Sequence, residues 1–222
     1  MKESPIRTHW LVHVGRLSVH MDTVIMTWIV MGILISMAWF ATRRMKVIPF
    51  GLQNLIEWAV ESLDGLVREN MGAAANVCFP VLATLFLFIL ISNLIGLVPG
   101  MSSPTSDINV TLGLAAVVLG LTVYAGAKTR GIGKYLASFI KPNPLFLPLN
   151  ILEMFTRSFT LAFRLFGNMF AGDMLIVILG KLVMFIVPML GQAFHVFVSV
   201  LQAYLFLMLA TAYIAVSLQE SE

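Results

Sequence analysis

The stretch that decides the fold is residues 182–218, LVMFIVPMLGQAFHVFVSVLQAYLFLMLATAYIAVSL. With His195 taken as neutral, no residue in it is charged. A membrane-spanning helix needs ~20 predominantly apolar residues to cross a ~30 Å hydrocarbon core. This run is too long for one crossing. It holds Pro188 and Gly191, where a helix is most easily interrupted. The segment before it, Ile151–Gly180, is also long and apolar but carries Glu153, Arg157, Arg164 and Asp173. The two read as a hairpin of long helices, 149–187 and 191–218, turning at Pro188 to Gly191. A continuous helix over 151–180 is ~45 Å long at 1.5 Å per residue. It must therefore tilt, kink or protrude.

Outward from the hairpin, residues 24–41, 77–98 and 110–127 are uncharged runs that each suffice for one span. Composition agrees. Hydrophobic residues make up 59% and charged residues 11% of 222, against ~45–50% and ~25% in soluble domains. Mean hydropathy is +0.93. The net charge of +3 comes without a basic run and gives no nucleic-acid signal. The basic residues flank apolar segments, as loop charges of membrane proteins do. Cys78 is the only cysteine, which excludes an internal disulfide, and it reads as a small buried hydrophobe. The first apolar run ends in WFATRR (39–44), with no small-residue cleavage site, so it reads as an anchor and not a removable signal. No Arg/Ser-rich transit peptide precedes it.

Residues 50–70 are not a span. Leu52, Leu55, Ile56, Ala59, Leu63, Leu66 and Val67 recur at helical spacing, with Glu57, Glu61, Asp64 and Arg68 opposite. This predicts an amphipathic helix at the membrane interface. Its acidic polar face suits packing on its own bundle or docking of a partner subunit. Lys134–Asn150, with Pro142, Pro144 and Pro148, predicts a second interfacial segment. The expected fold class is an all-α membrane protein of about five transmembrane helices plus an amphipathic interfacial helix, with a long tilted C-terminal helical hairpin. It forms one integral membrane domain over 1–222, with 1–23 as an external tail.

Loop charges give the orientation. Arg43, Arg44, Lys46 and Arg68 follow the first span, and Lys128, Arg130, Lys134 and Lys141 follow the third. Against these stand Lys2, Arg7 and Arg16 in the tail and Lys181 in the hairpin turn. The balance places the N-terminus outside and the C-terminus in the cytoplasm.

Arg164 is the chemical centre. An arginine at mid-membrane costs ~2.5–3.5 kcal/mol on the insertion scale and so faces a partner or a watery cavity. Asn168 lies one turn on and shares its face. Arg157 lies near that face toward the cytoplasm, and Glu153 stands four residues before it, placed to pair. Asp173, nine residues beyond Arg164, falls ~180° round a straight helix. It is placed to line a separate aqueous path. The last helix holds Gln192, His195 and Gln202, the latter two on one face. An arginine, amides, an acid and a histidine on one hairpin point to an ion path; the alternative is a structural polar network. His9, His13 and His20 lie in the tail, where such a group is usually solvated. No phosphate-binding glycine loop, zinc-ligand cluster or Ser/His/Asp set is evident, so the chain does not read as an enzyme by itself, and no cofactor or metal is implied.

The stretch LAFRLFGNMFAGD (161–173), with NILE (150–153) before it and LQAY (201–204) after, resembles subunit a of the F-type ATP synthase membrane sector. SNLIGLVPG (92–100) and PTSDINVTL (104–112) look like that family's second and third spans and their connecting loop. The likeness covers most of 24–218. It implies a stator that packs its hairpin against an oligomeric ring of small hairpin rotor subunits, each bearing a membrane carboxylate. A peripheral stalk membrane subunit and the lipid bilayer are the other implied partners. Protons, or sodium ions, enter by one half-channel, ride the ring and leave by another. Arg164 matches the essential arginine that attracts the ionised rotor carboxylate and keeps the half-channels apart. Gln202 matches the glutamine that orients it, and Asn168 the asparagine one turn away. Asp173 and His195 match the pair lining the outer half-channel, with Asp where many members have Glu. Asn109 matches a polar position near the outer mouth, and Glu153 and Arg157 fall near the cytoplasmic exit. The implied location is a bacterial plasma membrane. A self-sufficient secondary transporter is the competing reading, although no inverted repeat of the transporter kind is found. A purely structural scaffold would have no use for Arg164.

Overall fold

The computed structural model describes residues 11–14, 17–42, 52–98, 101–133, 135, 144–182 and 186–219. Two short antiparallel strands come first, β1 (Leu11–Val14) and β2 (Leu17–His20), with Leu11 opposite His20. They were not foreseen in the tail. Helix α1 (Met21–Thr42) follows β2 without a break, and Asp22 in its first turn suits the positive end of the helix dipole. Then come α2 (Leu52–Met71), α3 (Ala75–Ile95), α4 (Ile108–Arg130), α5 (Leu147–Leu182) and α6 (Ile186–Gln219). Five of these helices, all but α2, are long and apolar enough to cross a membrane. The chain is an all-α membrane protein, with the small strand pair as an addition.

Helix α2 has the expected two faces. Leu63, Val67 and Met71, spaced by four, are buried, while Glu57, Glu61, Arg68 and Glu69 are exposed. A single turn at Gly72–Ala74 leads it into α3. The core joins Cys78, Leu82 and Ile89 of α3, Val118 of α4, Leu161 and Leu165 of α5, and Phe206, Ala210 and Ile214 of α6. Helix α6 is the most enclosed, with 39% of its span buried inside the protein, and α1 the least, with 11%. The last helix is therefore the axis of the bundle and α1 lies at its edge.

The helix ends differ from expectation in one informative place. Helix α5 ends at Leu182 and α6 opens at Ile186, so Pro188 and Gly191 lie inside α6 and not at the turn. Pro188 occupies the first turn, where the missing N–H has no intrahelical partner to lose. Gly191 is buried where the side chain of Leu179 crosses it. Helix α5 is ~54 Å long at 1.5 Å per residue, well beyond one membrane crossing. Most of the second expected interfacial segment, residues 134 and 136–143, lies outside the described residues.

The connection between α3 and α4 is held by buried polar groups that bond to one another. The Thr105 hydroxyl donates to Asn93 Oδ1 at 2.6 Å, and Asn93 Nδ2 donates to the Ser199 carbonyl of α6 at 3.3 Å. The Ser103 hydroxyl donates to the Ser92 carbonyl at 3.0 Å and lies 2.6 Å from that of Thr105. All five residues are buried, so each bond replaces one to water. Ser103 packs directly on Gly96; a Cβ there would stand 2.5 Å from that of Ser103. Asp107 then caps α4, its Oδ1 accepting the Asn109 N–H at 2.9 Å.

Candidate functional site

The hairpin of α5 and α6 is an antiparallel seam whose rungs are visible. Toward the start of α5 and the end of α6, Arg157 pairs with Glu153 and lies over the Tyr213 ring, 5.8 Å from its centre. Asn168 Nδ2 donates to Gln202 Oε1 at 2.6 Å. Further along, Gly172 faces His195, and Gly191 faces Leu179. Asn168 and Gln202 thus meet across the seam.

His195 sits on Gly172. A Cβ at that glycine would lie 2.3 Å from His195 Nε2, so only glycine leaves room for the ring. The imidazole is 3% exposed, and neither nitrogen has a hydrogen-bond partner among the described residues. Its charged neighbour is Asp173, next to Gly172 in sequence. A buried ring with two uncommitted nitrogens beside a carboxylate can take up and release a proton. The Gln202 side chain is also buried, and its Nε2 lacks a partner among the described residues. Gln192 reaches another element, donating to the Leu97 carbonyl at 2.6 Å. Asn109 Nδ2 donates to Asp107 at 3.0 Å, so its amide serves the cap of α4.

Arg164 is placed differently. The flank of α5 carrying Leu161, Ala162, Leu165 and Met169 is buried in the bundle, whereas Arg164 is exposed. Thr160, Gly167, Asn168 and Ala171, within two turns on the same face, are exposed too. No ion pair reaches Arg164 among the described residues. The amide of Gln202 is held by Asn168, one turn away from the arginine. The structure therefore joins Asn168 with Gln202 and His195 with Gly172 and Asp173, and leaves Arg164 on an outer face of a spanning helix.

Sequence reasoning missed Gly172 and the Asn93–Thr105 pair. The signal for the pair was present, since Ser92 and Asn93 interrupt an otherwise apolar span. It also left His20 as a solvated tail residue; instead His20 Nδ1 lies 2.8 Å from Asp107 Oδ2. Among the described residues no group of three or more His, Cys, Asp or Glu side chains is placed to hold a metal ion.

The family model for the ATP synthase A chain matches residues 24–215. That range contains all of the residues just described except His20. The chain belongs to the ATP synthase subunit a family. ATP synthase subunit a 2 of Bradyrhizobium sp. strain BTAi1 is 38% identical over 214 residues, 96% of each chain. As a subunit a, the chain is a membrane-sector component of an F-type ATP synthase and takes part in ion transport and ATP synthesis. The self-sufficient transporter and the bare scaffold give way to that membership.

Proposed function

We propose that this subunit a is the ion-translocating stator of its ATP synthase. The observation that carries the reading is Arg164, exposed on a membrane-spanning helix with no ion pair among the described residues. A fixed cation in that position is costly unless an anion comes to it. The partner in this reading is the carboxylate of each small hairpin subunit in a rotor ring. It loses its ion on reaching Arg164 and regains one after leaving. Thr160, Gly167 and Ala171 flank the arginine with small side chains, so a neighbouring helix can approach closely.

Two aqueous half-channels serve the ring on either side of Arg164. His195 and Asp173 line the outer one, with Asn109 and Gln192 nearer its mouth. Glu153 and Arg157 stand at the cytoplasmic exit. The Asn168–Gln202 bond braces α5 against α6 one turn from Arg164 and so fixes the height at which the cation is presented. The driving force is the membrane potential, ~2.3 kcal/mol per charge per 100 mV, together with the concentration gradient. The ion is a proton, or sodium where the ring site selects it. A peripheral stalk membrane subunit holds the stator against the ring. The subunit lies in a bacterial plasma membrane with its N-terminus outside and its C-terminus in the cytoplasm.

Disulfide trapping tests the contact. Gly167→Cys, paired with a cysteine one turn from the ring carboxylate, should cross-link in the assembled enzyme under mild oxidation. Phe86→Cys on α3, away from this face, should not. Equal cross-linking at both positions, or none at Gly167, would rule out the proposed approach of the ring.

A further inference from the structure

One face of α6 carries Gln192, His195, Ser199 and Gln202, spaced three, four and three apart, and every other residue from 192 to 202 is apolar. Three of the four reach a neighbouring element. The Gln192 amide donates to the Leu97 carbonyl at 2.6 Å. Leu97 stands just past the end of α3, where carbonyls have no partner further along the helix. The Ser199 carbonyl accepts from Asn93 Nδ2 of α3 at 3.3 Å, and Gln202 holds Asn168 of α5. His195 is different: its ring is buried, and neither nitrogen has a hydrogen-bond partner among the described residues.

The two bonds to α3 bracket His195, one three residues before it and one four residues after. They are about 10 Å apart along α6 at 1.5 Å per residue. Two attachments on one face, two turns apart and to the same neighbour, fix both the height and the rotation of the turns between them. The Asn93 amide is itself held, since the Thr105 hydroxyl donates to its Oδ1 at 2.6 Å. The Ser199 hydroxyl donates to the His195 carbonyl at 2.7 Å, which ties this bracket to the histidine's own peptide. Height and rotation matter here because the His195 ring fills the space that a Cβ of Gly172 would take.

We propose that Gln192 and Asn93 are positioning residues that hold α6 at the height and rotation which seat the His195 ring on Gly172. A group that takes up and releases an ion has to keep its nitrogens uncommitted, so its own hydrogen bonds cannot aim it. The backbone that carries it must be aimed instead, by neighbours whose side chains are locked. The role rests on the reading of His195 as a lining residue of the outer half-channel. It assigns the Gln192 amide to holding α6 and not to contact with the ion.

Solid-state NMR of the whole ATP synthase in lipid, with ring-labelled histidine, tests it. The His195 signals are assigned by their loss in His195→Gln. Gln192→Met keeps the length of the side chain and removes the donor. In that enzyme the His195 ring signals should shift, and ATP-driven pumping in inverted vesicles should fall on the order of tenfold. Asn93→Leu removes the other bracket and should shift the ring signals too. Thr211→Val is the control. It also loses a buried hydrogen bond of α6, but one made within its own helix, to the Leu207 carbonyl, so the ring signals should stay in place. Ring signals unmoved in either assembled Gln192→Met or assembled Asn93→Leu enzyme, or moved as far by Thr211→Val, would overturn the proposal. A moved ring with native pumping would uphold the positioning and count instead against His195 as a lining residue of the half-channel.

Discussion

At residue 172 the absence of a side chain is a structural requirement. The His195 ring occupies the space a Cβ would fill, 2.3 Å from Nε2. Gly172→Ala must push the imidazole away from Asp173 or force the helices apart, and overpacking of this kind costs ~1–3 kcal/mol. If His195 relays ions, its displacement by about an ångström should slow ATP-driven pumping on the order of 10- to 100-fold. Pumping would be measured in inverted vesicles, with co-purification of the complex confirming assembly. Native pumping in an assembled Gly172→Ala enzyme would show that the position of His195 does not matter. Arg164, Asn168, Asp173, His195 and Gln202 stand out in the sequence as candidates because polar groups are conspicuous in an apolar run. Gly172 does not, because a missing side chain becomes informative only when the group that fills its place is known.

At the scale of elements, the α3–α4 connection holds itself together through buried polar bonds and a helix cap. Thr105→Val leaves Asn93 Oδ1 buried without its donor, which costs ~1–3 kcal/mol. Asn93→Leu in turn removes the acceptor of the Thr105 hydroxyl, which keeps its contact with Ser103, and the donor to the Ser199 carbonyl. The double variant should lose less than the two single losses combined, because neither partner is then left stranded. Thermal dissociation of the complex would measure this; additive losses would mean that the two groups are not coupled. Asp107→Ala should cost about 1 kcal/mol by loss of the α4 cap, and Asp107→Asn less, since asparagine caps nearly as well. The sign of the pH dependence follows from the lowered pKa of Asp107. Its ionised form contributes fully above ~3.9, the unfolded value, and the contribution disappears as pH falls through the lower folded value. The gap between the native enzyme and Asp107→Ala should therefore hold from pH 8 to 5 as far as Asp107 sets it, and shrink only in strong acid. These bonds were not legible in the sequence, because residues 93, 105 and 199 meet only through the packing of α3 on α6. The hairpin break was misplaced for a related reason: Pro188 and Gly191 signal a turn only where no first helical turn or close neighbour makes use of them.

At the scale of the whole molecule, four uncharged runs and one long apolar run with four charges were enough to foretell five spanning helices, because a bilayer demands length and apolarity before anything else. The interfacial helix was equally plain from its period, with Leu63, Val67 and Met71 inward and Glu57 and Glu61 outward. What composition could not foretell was which helix forms the axis, since every span is similarly apolar; the structure gives that place to α6. Nor could it show that Arg164 faces away from its own bundle. In the proposed function, that placement makes the arginine half of an interaction whose other half lies on another chain. Replacing it decides the matter most directly. The assembled enzyme carrying Arg164→Ala should still hydrolyse ATP in its catalytic head, yet show no ATP-driven ion pumping in inverted vesicles. Coupled pumping at the native rate in that variant would contradict the account.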